Sequence, residues 1–468
     1  MSKDDMTQNM KERVYSYLLL GIGLLFYLFF AFYDGTVICA DSPSYISMSV
    51  TREAFYPSLL ALSRSVFGNN DTYLFAVIVV QSVIAAFAAW SLEEFLRKEI
   101  QMPKWISLCI LALPLMVSFL CRFAALRSSM YSNSIMTEGI AVSLYLVVIR
   151  ELLEYLFYQT KKSLIIGSLL SALLISTRKQ MLVTLALLAL AIMAAAWWKK
   201  NIGRGIMKAV VISILVMAAV LVYDRGYNYM VRGEIAGHSS DNRFIMTMIF
   251  YTAEEKDAVY VEDPEIRKLF LDIYHVCDDS GFLGSSAGAG WYQEVTHFGD
   301  HYDHIQIDTM WPMIHDYVEK QKGLEPNEQQ SMELEIETDR IMNVLIADLL
   351  PHKLIRIAEV LWNNFLSGLV TTVAQRTPIL VWYTVLAYLG YAVLLIYNIK
   401  VNKLSKVNIF ALLTVVSIIL NVGLVSAVIF CQTRYTIYNM PLFYMSGLLM
   451  LYEIYKTRFG IRSNKKPD

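Results

Sequence analysis

The sequence has little charge, few cysteines and none of the short motifs that mark soluble nucleotide-binding or zinc proteins. Only 17% of its 468 residues are charged and 56% are hydrophobic, against about 25% and 45–50% in ordinary soluble domains. The formal net charge of −1 excludes a strongly basic nucleic-acid-binding protein. The five cysteines have no CxxC spacing, which predicts neither a disulfide framework nor a zinc site, and there is no glycine-rich phosphate loop.

Long apolar runs fill much of the chain, and the mean hydropathy is +0.45. A bilayer core of about 30 Å needs roughly 20 mostly apolar residues per helix. Ten stretches approach that requirement: 14–33, 73–92, 105–121, 134–150, 163–177, 181–197, 208–224, 379–398, 408–431 and 437–456. The predicted fold class is therefore mainly α, a polytopic helical membrane protein with about ten transmembrane helices.

Basic residues indicate the orientation of these spans. Alternate connecting segments, starting at the N-terminus, hold 21 Lys or Arg, whereas the short segments on the other side hold 7. Because cytoplasmic loops are enriched in Lys and Arg, both termini are predicted to be cytoplasmic. The first apolar run is longer than a signal-peptide core, so we interpret it as an uncleaved anchor. We expect a multi-pass protein of a plasma membrane, bacterial in origin.

One long segment interrupts the spans and divides the chain into three parts. Residues 1–224 are predicted to form an N-terminal transmembrane module of seven helices, and 379–468 a C-terminal module of three helices with a basic tail. Between them, 225–378 holds 12 Lys or Arg, 25 Asp or Glu and all seven histidines. A segment of that length is too long for a connector. We expect a small mixed domain or lid outside the cytoplasm.

Two acids stand at the outer membrane edge, where charge is costly and usually has a task. Asp41 lies in the first outer loop, four residues before Tyr45, so both share one face of a helix that begins after Asp41. A helix N-cap without chemistry is the competing interpretation of Asp41. Glu138 opens the fourth span, and it is either paired with an arginine for structure or functional.

Cations gather on the same outer side. Arg178 and Lys179 stand in a tight hairpin between the fifth and sixth spans, and Arg434 precedes Tyr435 before the last span. Arg122 and Arg127 lie between the third and fourth spans. Arginine and lysine at a dry, membrane-level site suit a phosphate or pyrophosphate group. A carboxylate beside them suits a general base.

A histidine cluster in the acidic segment has two interpretations. On a helix His297, His301 and His304 share one face, which is compatible with a metal ion. Short clusters of this kind in acidic outer domains are more often solvated surface. Three aromatic residues flank the cluster and either stack on a sugar or belong to a core. They are Trp291, Tyr292 and Trp311.

The order of these outer motifs resembles the GT-C superfamily of polytopic membrane glycosyltransferases, which use polyprenyl-phosphate-linked sugars. Within it the chain looks most similar to the protein mannosyltransferase and lipid A aminoarabinose transferase type. The motifs are Asp41 with Tyr45, Tyr56-Pro57 and Phe67-Gly68 in the first outer loop, Thr137-Glu138 with Arg178, and Thr433-Arg434-Tyr435 with Pro441. The likeness covers roughly 1–224 and 379–456, and each motif is weak alone.

The resemblance implies inverting transfer of a sugar from a polyprenyl phosphate to an acceptor hydroxyl on the non-cytoplasmic face. Asp41 would be the base, with Glu138 as a second catalytic acid. Tyr45, Tyr435 and the outer-side Arg and Lys would bind substrate and hold the lipid phosphate. No cofactor is required, although a divalent metal ion could supplement the phosphate clamp. The family loop often has two adjacent acids, whereas Ser42 follows Asp41 here; a second acid would come from Asp34, Glu138 or the outer segment.

Three other functions remain open at this point. An oligosaccharide ligase that uses a lipid pyrophosphate shares outer-side arginines. A transporter or lipid-sugar flippase explains the spans, but it predicts ionisable residues near the bilayer midplane and broken, repeated helices. A receptor or scaffold leaves Asp41, Glu138 and Arg434 unexplained. The acceptor is a protein, a polymer, a glycolipid or a small molecule.

Overall fold

The computed structural model describes residues 3–123, 128–238, 241–323 and 332–459. Over those ranges the chain is helical and contains no β-strand, only one isolated bridge between Val37 and Ser134. The helices are α1 (Lys3–Asp34), α2 (Ser42–Ile46), α3 (Phe55–Phe67), α4 (Asp71–Ile100), α5 (Lys104–Leu120), α6 (Glu138–Tyr158), α7 (Lys161–Ile175), α8 (Leu182–Trp198), α9 (Ile202–Arg232), α10 (Asn242–Tyr251), α11 (Pro264–Asp279), α12 (Trp291–Asp303), α13 (Trp311–Lys322), α14 (Met332–Val373), α15 (Pro378–Asn402), α16 (Lys406–Val428), α17 (Thr433–Thr436) and α18 (Met440–Arg458).

Seven of these helices are long and apolar enough to cross a membrane: α1, α4, α5, α8, α9, α15 and α16. This confirms the coarse prediction of a helical protein suited to a bilayer. The other three predicted spans, 134–150, 163–177 and 437–456, coincide with α6, α7 and α18. Those helices have 21, 15 and 19 residues, and α6 carries charges along its length. Ten spans therefore remain a prediction.

Side-chain caps fix several helix starts at the ends of the apolar runs. The Asn70 side chain accepts a hydrogen bond from the Thr72 N–H, and Thr160 accepts from Ser163. Thr377 accepts from Leu380, with proline in the first turn of α15. These residues supply acceptors for N–H groups that have no partner within the helix. The starts of these helices are thus determined by capping residues that lie next to them in the sequence.

The acidic segment 225–378 is helical wherever the structure describes it, so the expected mixed character is wrong. The glycines of 281–290 lie in the short connection between α11 and α12. A π-helical stretch, His304–Met310, joins α12 to α13. The segment has its own hydrophobic core, built around Phe250, Phe270 and Tyr302. Helix α9 also runs beyond the predicted boundary at 224 and ends at Arg232.

Candidate functional site

The first outer loop is fastened to the segment that precedes α6. The Val37 N–H donates to the Asn133 carbonyl at 2.9 Å, and the Ile135 N–H donates to the Val37 carbonyl at 3.0 Å. The Ser42 hydroxyl, at the start of α2, donates to the Ile135 carbonyl at 2.8 Å. These long-range hydrogen bonds bring Asp41 toward the start of α6, where Glu138 stands.

A glutamine in α4 forms hydrogen bonds with the segment that precedes α6. The Gln81 amide nitrogen donates to the carbonyls of Ser132 and Ser134 at 3.0 and 3.1 Å, and its oxygen accepts from the Tyr56 hydroxyl at 2.9 Å. A Cβ on Gly139 would lie 2.5 Å from the Gln81 amide nitrogen. A larger residue at 139 would displace the Gln81 amide from its hydrogen bonds, so glycine keeps α6, and with it Glu138, close to α4.

Five charged side chains form one chain of ion pairs, which we call the five-charge cluster. The order is Arg178, Glu138, Arg434, Asp41 and Arg52. Arg178 lies 2.6 Å from Glu138, and Arg434 pairs with the same Glu138 oxygen. Arg434 lies 2.5 Å from Asp41, which lies 2.9 Å from Arg52. Four of the five were predicted as site residues, and the structure brings those four together.

Burial differs along the cluster. Glu138 is fully buried, whereas the Asp41 side chain is 27% exposed and Arg52 is 20% exposed. Three guanidinium groups face two carboxylates, which leaves one positive charge in excess. Taking such groups out of water is costly unless they are paired. The cluster is therefore closed at the Glu138 end and accessible at the Asp41 end.

Aromatic and amide side chains orient the arginines. The Tyr435 ring lies 5.3 Å from the Arg178 guanidinium and 5.4 Å from that of Arg434, as in cation–π contacts. The Gln180 amide nitrogen donates to the Tyr435 carbonyl at 2.5 Å, and Asn421 in α16 donates to the same oxygen at 3.1 Å. Tyr435, a predicted binding residue, thus holds both arginines in place.

Asp41 occupies the N-cap position of α2 but does not cap it with its side chain. The carboxylate instead faces Arg434 and Arg52. Burial by itself would raise the pKa of Asp41, but the two guanidinium groups outweigh burial and hold the pKa below its ordinary value. A carboxylate in this state is ionised at neutral pH and stays a weak base until a ligand draws the arginines away.

Arg52 belongs to the cluster, although the sequence argument did not single it out. Its Nε donates to the Ser44 hydroxyl at 2.8 Å, and its guanidinium lies 4.6 Å from the Tyr45 ring centroid. Tyr45 is buried and packs edge-on against Tyr56. The predicted role of Tyr45 in binding stays a prediction; the structure places it beneath Arg52. The one signal in the sequence that could have identified Arg52 was its positive charge in the same predicted outer loop as the negatively charged Asp41.

The acidic segment adds two charged residues near this end of the site, and neither was predicted. Asp303 ends α12, and burial raises the pKa of its carboxyl, with the Asp41 charge raising it further. Arg243 begins α10, and burial lowers the pKa of its guanidinium, with Arg52 lowering it further. The charge of Asp41 thus acts on Asp303, and the charge of Arg52 acts on Arg243. No local pattern could have found them, because they depend on how α10 and α12 pack.

Two predicted cations pair elsewhere, and one lies outside the described residues. Arg122 forms an ion pair with Asp34 and lies 4.7 Å from the Phe30 ring centroid. Lys179 pairs with Asp241, and its backbone N–H donates to Glu53 at 3.0 Å. Lys179 therefore ties the hairpin before α8 to the acidic segment. Arg127 is not among the residues that the structure describes.

The three histidines lie along α12 with different partners. His297 contacts the Tyr251 hydroxyl at 3.3 Å and the Gly281 carbonyl at 3.1 Å. His301 and His304 both stack on Phe282, and His304 pairs with Asp308 at 2.7 Å. Across 3–123, 128–238, 241–323 and 332–459, no group of three or more His, Cys, Asp or Glu side chains is placed to hold a metal ion.

The flanking aromatics also separate. The Trp291 indole N–H donates to the Asn363 carbonyl at 3.1 Å, and the Tyr292 hydroxyl donates to the Arg376 carbonyl at 3.4 Å. Trp311 instead lies beside Arg243, with 5.3 Å between the ring centroid and the guanidinium carbon. Trp291 therefore ties α12 to α14, and Tyr292 ties α12 to the residues that follow α14. Trp311 faces the Arg243 guanidinium.

The arrangement has the parts for binding an anion beside a carboxylate: a positive excess, a buried acid that fixes two arginines, and a second acid open to solvent. Comparison with known protein families, with curated proteins and with solved structures finds no match to this chain. A functional assignment therefore rests on the side chains themselves.

Proposed function

We propose that the protein is a membrane glycosyltransferase that moves a sugar from a polyprenyl phosphate to an acceptor hydroxyl on the non-cytoplasmic face. Asp41 is the general base, and Arg178 and Arg434 hold the lipid phosphate. Glu138 fixes the two arginines from below, so in this proposal it positions them and does not contact the sugar. The observation that carries the proposal is the five-charge cluster, which four separate outer segments assemble around one accessible carboxylate.

The electrostatics suit a phosphate leaving group. The phosphodiester of a lipid-linked sugar carries one negative charge, which matches the positive excess of the cluster. As the sugar leaves, negative charge grows on the phosphate oxygen. Arginines fixed before the reaction stabilise that charge without reorganisation, and bidentate guanidinium groups match phosphate geometry. Arg434 and Arg178 both meet this requirement, because Glu138 and Tyr435 hold them.

The chemical step is a single displacement with inversion. The acceptor oxygen attacks the anomeric carbon while the bond from that carbon to the phosphate oxygen breaks. The electron pair of that bond leaves with the phosphate, and the acceptor proton passes to Asp41. Arg434 bridges Asp41 and Glu138 in the structure. Donor phosphate would draw Arg434 away from Asp41 and thereby raise the basicity of the carboxylate when it is needed.

The wider proposal places the chain in a bilayer. Ten spans, with α6, α7 and α18 completing the seven long apolar helices, put both termini in the cytoplasm and the five-charge cluster on the opposite side. Segment 225–378 is then an extracytoplasmic helical domain that covers the site. A bacterial plasma membrane supplies polyprenyl phosphates, and a divalent ion is an optional addition to the phosphate clamp. The acceptor is a protein, a polymer or a glycolipid.

Donor cleavage by the purified chain in lipid nanodiscs tests the proposal. A panel of polyprenyl-phosphate sugars is supplied, and free polyprenyl phosphate is followed by mass spectrometry, with water as the default acceptor. We expect release from one sugar phosphate, at a rate above that of empty nanodiscs. Failure of every sugar phosphate to release lipid, in samples that retain the bound donor, would count against a monosaccharide transferase.

Two alternatives have their own readouts in the same preparation. Release of polyprenyl pyrophosphate from a lipid-pyrophosphate glycan, with none from the sugar phosphates, would identify an oligosaccharide ligase. Movement of intact donor between leaflets, without cleavage, would identify a lipid-sugar transporter. The accessible position of Asp41 at an outer helix start favours chemistry at the membrane surface over transport through its middle.

A further inference from the structure

Two buried N–H donors in the acidic segment have no hydrogen-bond acceptor among the described residues. The Nε of Arg243 and the indole Nε1 of Trp311 are both shielded from solvent and have no hydrogen-bond partner within the described ranges. The Arg243 side chain forms no ion pair there either. Its guanidinium carbon lies 5.2 Å from the Phe244 ring centroid and 5.3 Å from that of Trp311. A buried donor without an acceptor is unfavourable, and more so when it is charged.

The setting of Arg243 is fixed by its neighbours. Asp241, two residues earlier, pairs with Lys179, which ties the start of α10 to the hairpin before α8. Trp311 packs against His315 with 4.6 Å between ring centroids, and His315 faces the buried Glu335 at 3.3 Å. The rings of Phe244 and Trp311 therefore pack against the guanidinium group without neutralising its charge.

The position of Arg243 separates it from the proposed phosphate clamp. The cluster runs from buried Glu138 through Arg434 and Asp41 to Arg52, and Arg243 forms no ion pair with any of them. Its helix reaches the cluster's neighbourhood through Asp241, which pairs with Lys179, the residue after Arg178. Arg52 is the charged group that acts most strongly on the Arg243 pKa, after burial, and both lower it. Glu335 and Glu53 act on the Arg243 pKa in the opposite direction, but neither forms an ion pair with Arg243 among the described residues, so its Nε is still open to a negatively charged ligand.

We propose that Arg243 and Trp311 form an anion subsite for the acceptor, so that the acceptor carries a phosphate or carboxylate group near its reacting hydroxyl. This inference rests on the proposed function. An anion held by the two donors would leave Arg178 and Arg434 to the donor phosphate. The acceptor class becomes acidic: an anionic polymer, an acidic glycolipid or a phosphorylated small molecule.

Binding of glycerol 3-phosphate, with glycerol as the uncharged reference, tests this subsite. The full-length protein is held in phosphatidylcholine nanodiscs, and affinity is measured by ligand-observed NMR. We expect glycerol 3-phosphate to bind at least about tenfold more tightly than glycerol, since charged hydrogen bonds are stronger than neutral ones. Arg243→Gln should remove most of this preference, and Trp311→Phe, which keeps the ring but loses the N–H, should reduce it about threefold.

Matched controls guard against a folding artefact. Arg340 is 75% exposed and lies 3.6 Å from Glu337 on α14, so Arg340→Gln removes an arginine charge from the same segment without touching the subsite. It should bind both probes as the wild type does. Arg243→Lys should recover part of the preference. Equal binding of the two probes by the wild type, or an unchanged preference in Arg243→Gln, would overturn the subsite.

A second arm separates the acceptor from the donor phosphate as the source of the anion. Polyprenyl phosphate at saturation should leave glycerol 3-phosphate bound, and Arg243→Gln should leave the affinity for polyprenyl phosphate unchanged. Competition between the two ligands would assign Arg243 to the donor and overturn the acceptor assignment. Failure of the wild type to prefer polyprenyl phosphate over polyprenol would instead count against the proposed function, independently of Arg243.

Discussion

The helical bundle carries a partly buried charge cluster at each end, and the two are built differently. At one end, the opposite-end cluster joins α1 to α4, with Arg97 pairing Glu12 and Glu94 at 2.5 Å and Lys98 pairing Glu94 at 2.6 Å. Glu93 completes it at 3.7 Å from Arg97. Most of these contacts are between residues three or four apart on one helix. The five-charge cluster at the other end has no such local pair.

The difference indicates which cluster has a function beyond stability. Residues three or four apart on a helix meet without long-range folding, so the opposite-end cluster follows from α4 being a helix. The five-charge cluster requires four segments to converge, and Arg434 meets Glu138 across 296 positions of the chain. Buried ion pairs are weak evidence for stability, because desolvation offsets most of the attraction. A long-range cluster with an accessible acid is better explained by a ligand.

The largest expected effect is on Asp41. Replacing Asp41 with Asn keeps the size of the side chain but removes the base, and general-base catalysis contributes typically 10²–10⁴-fold to a rate. We expect kcat for donor cleavage to fall by about that factor while affinity for polyprenyl phosphate stays within a few-fold. The measurement is single-turnover release of the lipid.

The matched control for Asp41 is Asp71→Asn at the start of α4, an exposed acid that the cluster does not contact. Its rate should equal that of the wild type. A rate of Asp41→Asn close to that of Asp71→Asn would remove Asp41 as the base and would make the two ends of the bundle alike.

Arg434 comes next in expected size. Replacing it with Ala removes one arm of the phosphate clamp and leaves Glu138 with Arg178 as its partner. Charge-assisted hydrogen bonds contribute about 1.5–3 kcal/mol, so affinity for polyprenyl phosphate should weaken by about 10- to 100-fold. Equilibrium binding in nanodiscs measures this, with Arg340→Ala on α14, an exposed arginine outside the cluster, as the control. An unchanged affinity would make Arg434 purely structural.

A smaller effect concerns pH. In the free protein Arg434 and Arg52 hold the Asp41 pKa below its ordinary value, against the opposing effect of burial. If donor phosphate draws Arg434 away, the pKa rises in the complex. Because the base must be unprotonated, the rate falls as pH drops through this pKa. The acidic limb of kcat, which reports the complex, should therefore lie at higher pH than that of kcat/KM, which reports the free protein. Coincident limbs would show that Arg434 stays on Asp41.

The sequence predicted those parts of the site that follow from membrane topology. Asp41, Glu138, Arg178 and Arg434 precede or follow apolar runs on the same predicted side, and hairpins on one side of a bundle converge. The same argument predicted that Arg122 contributes to the site. In the structure Arg122 forms an ion pair with Asp34, outside the five-charge cluster. Topology sets the side and the depth of a residue, whereas pairing depends on side-chain packing that apolar runs do not encode.

The acidic segment shows where sequence reasoning stops. A mixed domain was expected there, yet α11 and α12 lie on either side of the glycine-rich connection and the described residues form no strand. Arg243 and Asp303 lie on α10 and α12, which pack against each other and against α14, and no spacing in the chain marks either residue. Helical periodicity predicts which face is buried, but not which neighbour a helix covers.

The smallest effect on activity is expected at the opposite end of the bundle, where Arg97→Gln should destabilise the protein without slowing it. The Arg97 side chain is 9% exposed and pairs with three acids. Only Glu93 is fully buried, since Glu94 keeps Lys98 and Glu12 is 44% exposed, so the loss should cost about 1–3 kcal/mol. The midpoint of thermal unfolding should fall by several degrees, while kcat per folded molecule matches that of the wild type. A parallel loss of kcat would mean that the two clusters are coupled in activity. The distinction between a structural and a functional cluster would then be wrong.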